Sequence, residues 1–264
     1  MKQLTLAILL FLATNLPGQT DSLLLALENE LGSKVPESFL DRVLNDARLT
    51  THEKIVQRFA KPYENLPPEK YKALLVTEKR IDGGVRFHNE RRTLVHEISR
   101  RYGVDEYILL AIIGIESNYG NHHEEFAVVN ALFTQATKMP KRRKWATGQL
   151  ATFLEYCYED SIDPFLIKGS YAGAFGYGQF IPTSYIAYAV DADSNGVRDP
   201  HAWDDALGSI ANYLIKNGYD STSKSFRENT RNWKAVFAYN HSKNYVNAVM
   251  ELRQEIKAGV ENEN

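Results

Sequence analysis

The stretch Leu109-Leu110-Ala111-Ile112-Ile113-Gly114-Ile115-Glu116-Ser117-Asn118-Tyr119-Gly120 is an apolar run that ends in one carboxylate. On a helix, Leu109, Ile112, Ile113 and Glu116 fall at i, i+3, i+4 and i+7. Glu116 therefore continues the apolar stripe and does not join a solvated face. Taking a carboxylate out of water disfavours its charged form and raises its pKa. A carboxylic acid that stays protonated near neutral pH is what a general acid requires. The competing reading is a helix-end Glu that swings out to solvent.

Working outward, the pattern is helical on both sides. Gly103 ends the preceding segment, and Asp105 stands where it can cap the helix that carries Glu116. Asp21–Leu31, Glu37–Leu49 and Thr51–Ala60 carry helical spacing. Lys61–Pro68 holds three prolines and reads as a loop. Lys70–Arg101 is a long charged amphipathic segment with Ile81, Val85, Leu94, Val95 and Ile98 inward and a weak point at Gly83-Gly84. Val128–Lys138, Arg143–Tyr158, Ala206–Lys216 and Asn244–Ile256 complete the helical pattern. The fold class is mainly α, with a minor β element. There is no regular internal repeat.

Composition narrows the function classes. A chain of 264 residues suits one large domain or two small ones and buries a sizeable core. A net charge of -2 argues against a nucleic-acid binder. Fifteen tyrosines suit both sugar stacking and ordinary cores. The single cysteine, Cys157, rules out an intramolecular disulfide. It sits in a packed helical pattern and reads as a buried, inert thiol.

Residues 1–19 read as a signal peptide. Lys2 supplies the positive end, Leu4–Ala13 is apolar and too short to span a bilayer, and Asn15-Leu16-Pro17-Gly18 breaks the run. No cysteine follows the run, so no lipid anchor or transmembrane anchor is expected. The expectation is a periplasmic or otherwise exported protein. Residues 20–264 then form one catalytic domain, with a core at about 100–250 and an N-terminal helical part at about 20–99.

From Gly169 to Tyr185 the character changes. Gly169-Ser170-Tyr171-Ala172-Gly173-Ala174-Phe175-Gly176-Tyr177-Gly178-Gln179-Phe180 sets four glycines among aromatics. Glycine lets backbone approach a ligand or adopt positive φ. Ser170 and Gln179 are neutral hydrogen-bonding groups suited to hydroxyls or amides. A structural loop or a short ribbon with packed aromatics fits the same pattern. The Gly-Lys-Ser/Thr ending of a phosphate loop is missing.

Asp191-Ala192-Asp193-Ser194-Asn195-Gly196-Val197-Arg198-Asp199 has the spacing of an EF-hand calcium loop. Asp191, Asp193, Asn195 and Asp199 offer side-chain oxygen. Gly196 stands at the sharp turn, and Val197 can offer its carbonyl. The departure is Ala202 where a bidentate Glu normally sits, with Asp204 or Asp205 available to close the shell. The reading is a structural Ca²⁺ and no organic cofactor. An Asx-rich turn without metal is the alternative.

Other clusters are less specific. His122-His123-Glu124-Glu125 lacks metal-site spacing and reads as a polar loop. Lys141-Arg142-Arg143-Lys144 beside Trp145 is either a solvated helix start or a contact for carboxylates or sugar hydroxyls. Phe237–Tyr245 is a polar and aromatic loop between two helices.

Together these segments resemble the lytic murein transglycosylase B family (glycoside hydrolase family 103). The matching stretches are GVRFHNERRTL, AIIGIESNYG, GSYAGAFGYGQFIPTSYIAYAVD, the acidic loop, DALGSIANYL and AYNHSKNY, from about Leu66 to about Val249. The resemblance implies a lysozyme-like catalytic domain that cleaves the MurNAc–GlcNAc β-1,4 bond of peptidoglycan glycan strands. It implies Glu116 as sole acid and base, with the C6 hydroxyl of MurNAc attacking C1 to give a 1,6-anhydro product. Ordinary glycosidases use two carboxylates, and no partner for Glu116 is evident near it in sequence or in the Gly-aromatic segment. An internal nucleophile removes that need and gains from intramolecular attack.

Carried over residue by residue, the resemblance gives Ser170, Gln179, Tyr239, Asn240 and Tyr245 substrate-pocket roles. Lys141 and Arg142 fall where the family often has paired arginines. Lys at 141 weakens a bidentate carboxylate contact there. Tyr119 stands where Trp is common, as a stacking residue. Asp205 matches the family's late calcium ligand. Cell-wall synthesis or secretion machinery are the partners such an enzyme would meet. A lysozyme-type hydrolase, a non-catalytic glycan-binding scaffold and a calcium sensor are the alternative functions.

Overall fold

The computed structural model describes residues 17–60, 66–121 and 125–263, and thirteen helices and one two-stranded sheet lie within them. In order these are α1 (Pro17–Leu31), α2 (Glu37–Leu44), α3 (Glu53–Phe59), α4 (Pro68–Leu75), α5 (Glu78–Glu90), α6 (Arg92–Tyr102), α7 (Glu106–Ser117) and β1 (Phe126–Ala127). There follow α8 (Val128–Lys138), α9 (Arg143–Glu159), β2 (Lys168–Gly169), α10 (Pro182–Tyr188), α11 (Trp203–Lys216), α12 (Arg231–Tyr239) and α13 (Lys243–Glu263). The apolar run that suggests a signal peptide lies outside the described residues.

The opening stretch forms α7, the central helix of the core. Ile108 through Ile113 are fully buried. Each of the isoleucine and leucine side chains among them contributes about 1.5–3 kcal/mol on burial. α13 packs along both α7 and α5, α8 packs on α9, and α11 packs on α6. One apolar cluster runs from Leu23 to Val260. Asp105 caps α7 as expected, with its Oδ1 accepting from the Ile108 N–H at 3.0 Å. Asp105 is also gripped by Arg253 of α13, whose Nη2 donates to Oδ2 at 2.6 Å.

Two expectations change. The long amphipathic segment Lys70–Arg101 is divided into α4, α5 and α6. Thr77 caps α5 by accepting from the Arg80 N–H at 3.3 Å, and Arg91 separates α5 from α6. Gly83 and Gly84 are no weak point: they lie buried inside α5. A Cβ on Gly83 would stand 2.9 Å from the Tyr119 ring, and one on Gly84 would stand 2.6 Å from the Tyr119 hydroxyl. The glycines serve a close approach, which tertiary packing imposes and helix propensity cannot reveal.

The second change is at Phe237–Tyr245. α12 runs through Tyr239, and α13 starts at Lys243, so only Asn240-His241-Ser242 joins them. Thr230 caps α12, accepting from the Trp233 N–H at 3.4 Å. The Gly-aromatic segment is a ribbon. β2 pairs antiparallel with β1, and bridges join Gly169 to Phe175 and Phe175 to Phe180.

Candidate active site

Glu116 stands in the last turn of α7, with Asn118 in the left-handed conformation closing the helix at φ 47°. The residue as a whole is half-buried, and its carboxyl is surrounded by protein. The Tyr245 hydroxyl, from α13, donates to Glu116 Oε1 at 2.6 Å. Burial pushes the Glu116 carboxyl up to about 7, and the Tyr245 hydrogen bond pulls the other way. No other charged group among the described residues contributes to that shift. Burial raises the hydroxyls of Tyr245 and Tyr239 well above the usual tyrosine range, and the nearby Glu116 charge adds to it. Both therefore remain neutral donors.

Tyr239 closes the next side. Its ring lies parallel to that of Tyr245, with centroids 6.5 Å apart and 2° between planes. Its hydroxyl donates to the Gly178 carbonyl at 2.5 Å. That bond ties α12 to the Gly-aromatic ribbon directly beside Gln179. Gln179 is held at φ 48°, and its Nε2 donates to the Gly176 carbonyl at 2.9 Å. Ser170 Oγ accepts from the Ala174 N–H at 3.2 Å, so it fixes the first turn of the ribbon. Asn240 follows Tyr239 as the C-cap of α12.

Arg142 reaches the ribbon from the other end. Its Nε donates to Gln135 Oε1 at 2.9 Å, and Gln135 Nε2 donates to the Tyr171 carbonyl at 3.1 Å. The guanidinium lies 4.2 Å over Trp145 and 4.5 Å over Phe59. Burial lowers its pKa, as expected for a cation partly withdrawn from water. Lys141 is exposed beside it.

Tyr119 does not belong to this set. It is 9% exposed and points into the space above Gly83, Gly84 and Gly114 between α5 and α7. Its hydroxyl is buried without a hydrogen-bond partner. The ring is largely taken up by packing against these glycines and Phe87, which is a core role in place of the stacking role expected of it, and it also borders a cavity lined by Arg86, Arg91 and Trp203.

The acidic loop assembles around Asp205, which is 2% exposed. Asp205 accepts from the Ala192 N–H at 2.7 Å and from the Asp199 N–H at 2.8 Å, which joins both ends of the loop to α11. Asp191, Asp193 and Asp205 each bring one carboxylate oxygen within 4.8 Å of the others. Asn195 is tied in through Asp193 and through the Val197 N–H. Gly196 takes φ 90° at the turn. Burial first, then the neighbouring Asp193 and Asp191, push the Asp205 carboxyl up against the pull of its two backbone donors.

Residues 122–124 lie outside the described residues, and Glu125 pairs with Arg58 at 2.6 Å and with Lys54. Cys157 is fully buried, and burial pushes its thiol up, so it is inert. Sequence reasoning missed Gln135, Tyr71 and Tyr213. Gln135 was legible as a polar residue inside the apolar run of α8. Tyr71, buried in α4, makes a minor contribution to the raised Tyr245 hydroxyl, and Tyr213 packs edge-on to Tyr239 with centroids 4.8 Å apart. Nothing in their spacing separates these two from ordinary core tyrosines.

Such a fold, in which a helical core presents one protonatable carboxyl against tyrosine and glycine walls, is of the lysozyme-like class. Residues 25–230 match the family model described as the Transglycosylase SLT domain. The chain belongs to that family. It is 37% identical over 152 residues to membrane-bound lytic murein transglycosylase B of Escherichia coli (strain K12). That match takes in 57% of this chain and 42% of that protein, less than half its length. The fold is shared with the Escherichia coli lytic transglycosylase SLT35 in complex with calcium, at TM-score 0.79 and 23% identity, over 92% of this chain and 93% of that one. It is shared also with SltB3 from Pseudomonas aeruginosa in complex with NAG-anhNAM-pentapeptide, at TM-score 0.79 and 24% identity, over 91% of this chain and 80% of that one.

Proposed function

We propose that the protein is an exported peptidoglycan lytic transglycosylase that uses Glu116 as its single acid and base. The observation that carries this reading is the state of Glu116. Its carboxyl is raised to about 7, held by Tyr245, and influenced by no second carboxylate among the described residues. Family membership supports a peptidoglycan substrate, and the bond proposed for cleavage is the MurNAc–GlcNAc β-1,4 bond.

The steps balance without water. Protonated Glu116 gives its proton to the glycosidic oxygen as the C1–O bond breaks. The C6 hydroxyl oxygen of the same MurNAc then bonds to C1, and its proton returns to Glu116. The products are a 1,6-anhydroMurNAc end and a free GlcNAc hydroxyl. A pKa near the working pH serves both halves, since the same group must give and then take a proton. Attack from within the substrate explains why one carboxylate suffices, whereas two-carboxylate enzymes place a second group across the ring. The anhydro ligand of the SltB3 complex supports this product class.

Ser170, Gln179 and Asn240 are assigned to sugar hydroxyls and N-acetyl groups. Arg142 and Lys141 are assigned to glycan or stem-peptide carboxylates. Asp191, Asp193, Asn195, Val197, Asp199 and Asp205 are assigned to one Ca²⁺. The donor set is all oxygen, as a hard cation needs, and a dication offsets the repulsion among three clustered carboxylates. The calcium complex of SLT35 supports the assignment. Its role is structural: it fixes the chain between the ribbon and α11.

The test is release of soluble fragments from purified peptidoglycan by the parent chain and by Glu116→Gln. The parent is expected to solubilise it and Glu116→Gln to lose at least about 100-fold. Parent-like turnover by the variant contradicts the assignment.

A further inference from the structure

Three side chains outside this site converge where α5, α6 and α7 meet. They are His88 near the end of α5, His96 in α6 and Glu106 at the start of α7. One ligand-capable atom of each lies within 4.8 Å of the other two. His96 Nδ1 stands 2.5 Å from Glu106 Oε2, and His88 Nε2 stands 3.8 Å from Glu106 Oε1.

His88 is the informative member. It is 2% exposed, and its Nε2 is buried with no hydrogen-bond partner. A buried ring nitrogen left unsatisfied is costly. The separation of 3.8 Å from Glu106 is too long for a hydrogen bond. It is close to the spacing of two ligands that share one ion, since zinc bonds of about 2.0–2.1 Å in a tetrahedral shell set ligand atoms roughly 3.3 Å apart. At the ring's other nitrogen, Nδ1 lies 3.3 Å from Asn89 Oδ1. A proton on Nδ1 donates there and leaves the Nε2 lone pair facing the cluster. A carbonyl-type oxygen behind the ring is how ligating histidines are commonly oriented. Tyr107 stacks on the same ring, with centroids 5.8 Å apart, and fixes its plane.

We propose that His88, His96 and Glu106 form a binding site for one divalent transition-metal ion of the zinc class. Two imidazoles and one carboxylate favour such an ion over calcium or magnesium, which prefer all-oxygen shells. Three protein ligands leave a fourth position for water, on the side where His96 is half exposed. His96 opens from its present ion pair by a small turn of an accessible side chain. The site is a clamp. It joins α5 and α6 to the first residue of α7, the helix that carries Glu116 about 15 Å further along, at 1.5 Å per residue. The inference does not depend on the glycan chemistry proposed for Glu116.

The test uses the tag-free full chain, stripped with chelator and dialysed into buffer with excess Ca²⁺, which occupies hard-cation sites. Zn²⁺ is titrated by calorimetry, and melting is followed in parallel. One zinc per chain at micromolar metal, with a raised Tm, is expected. His96→Ala, at an exposed position, is expected to keep the fold, to weaken zinc at least about tenfold and to abolish the Tm rise. His88→Phe, with folding checked by circular dichroism, is expected to do the same. Zinc-edge absorption on the parent is expected to report two imidazoles. Failure of the parent to bind zinc, or affinity unchanged in His96→Ala, overturns the proposal.

Discussion

The Tyr245 hydroxyl donates to Glu116 Oε1 at 2.6 Å, across the packed interface between α13 and α7. The two residues come together because α13 lies along α7, with Tyr245 in its first turn and Glu116 in the last turn of its neighbour. The bond constrains the carboxyl while lowering a pKa that burial raises. It therefore sets both the direction and the protonation of the one acid in the site.

Tyr245→Phe removes that donor with little change in shape. Glu116 then rises further above about 7. The basic limb of the pH–rate profile is expected to move to higher pH, and kcat to fall roughly 10- to 100-fold as the carboxyl loses its alignment. A limb that stays in place contradicts the role given to Tyr245.

Glu116 also makes stability depend on pH. Its folded pKa of about 7 lies above the ordinary value of 4.5. The fold favours the protonated form, so its contribution is complete below the ordinary value and lost as pH rises through about 7. Glu116→Gln does not titrate. Its stability advantage over the parent is expected to grow by on the order of 1–3 kcal/mol from acid to neutral pH and then level off. Urea melts at a series of pH values measure this; a difference independent of pH contradicts the burial of Glu116.

Tyr119 carries a buried hydroxyl with no partner. Tyr119→Phe is expected to hold or raise stability by about 1 kcal/mol and to leave turnover unchanged. Gly114→Ala drives a Cβ into that hydroxyl and is expected to cost about 1–3 kcal/mol. In the double variant part of that loss returns, which a double-mutant cycle of melting free energies measures. A Tyr119→Phe variant that loses stability contradicts the account of an unsatisfied hydroxyl.

Chelator is expected to lower Tm, and calcium at about 100 times its Kd to restore about 2.7 kcal/mol. Asp193→Asn is expected to weaken that response without touching Glu116. Melting curves that ignore chelator and calcium remove the cation from the acidic loop.

The longer helices, the cap of α7 and the oxygen-rich spacing of the acidic loop were legible because they rest on local signals, whereas α10 and the caps at Thr77 and Thr230 were not read. Asp105 and Gly103 mark the entry to α7, and the run Leu109–Glu116 shows its buried stripe. The loop's turn glycine and alternating oxygens are likewise within a few residues of each other. What stayed hidden depends on contacts between distant segments. Gly83 and Gly84 look like helix breakers until Tyr119 is seen lying against them. Tyr119 looks like a surface aromatic until the same contact is known. Asn89, His88, His96 and Glu106 fall in three helices whose meeting no periodicity predicts. Tyr245 could be assigned to the site only by resemblance, and its bond to Glu116 appears only once α13 lies on α7.

The central claim is that one carboxyl cleaves the glycan by intramolecular attack. The most direct measurement is the mass of muropeptides released from purified peptidoglycan by the parent chain. The account predicts 1,6-anhydroMurNAc ends, one water lighter than reducing ends, with no label taken up from ¹⁸O water. Reducing-end products carrying solvent oxygen would contradict it and make the protein a hydrolase.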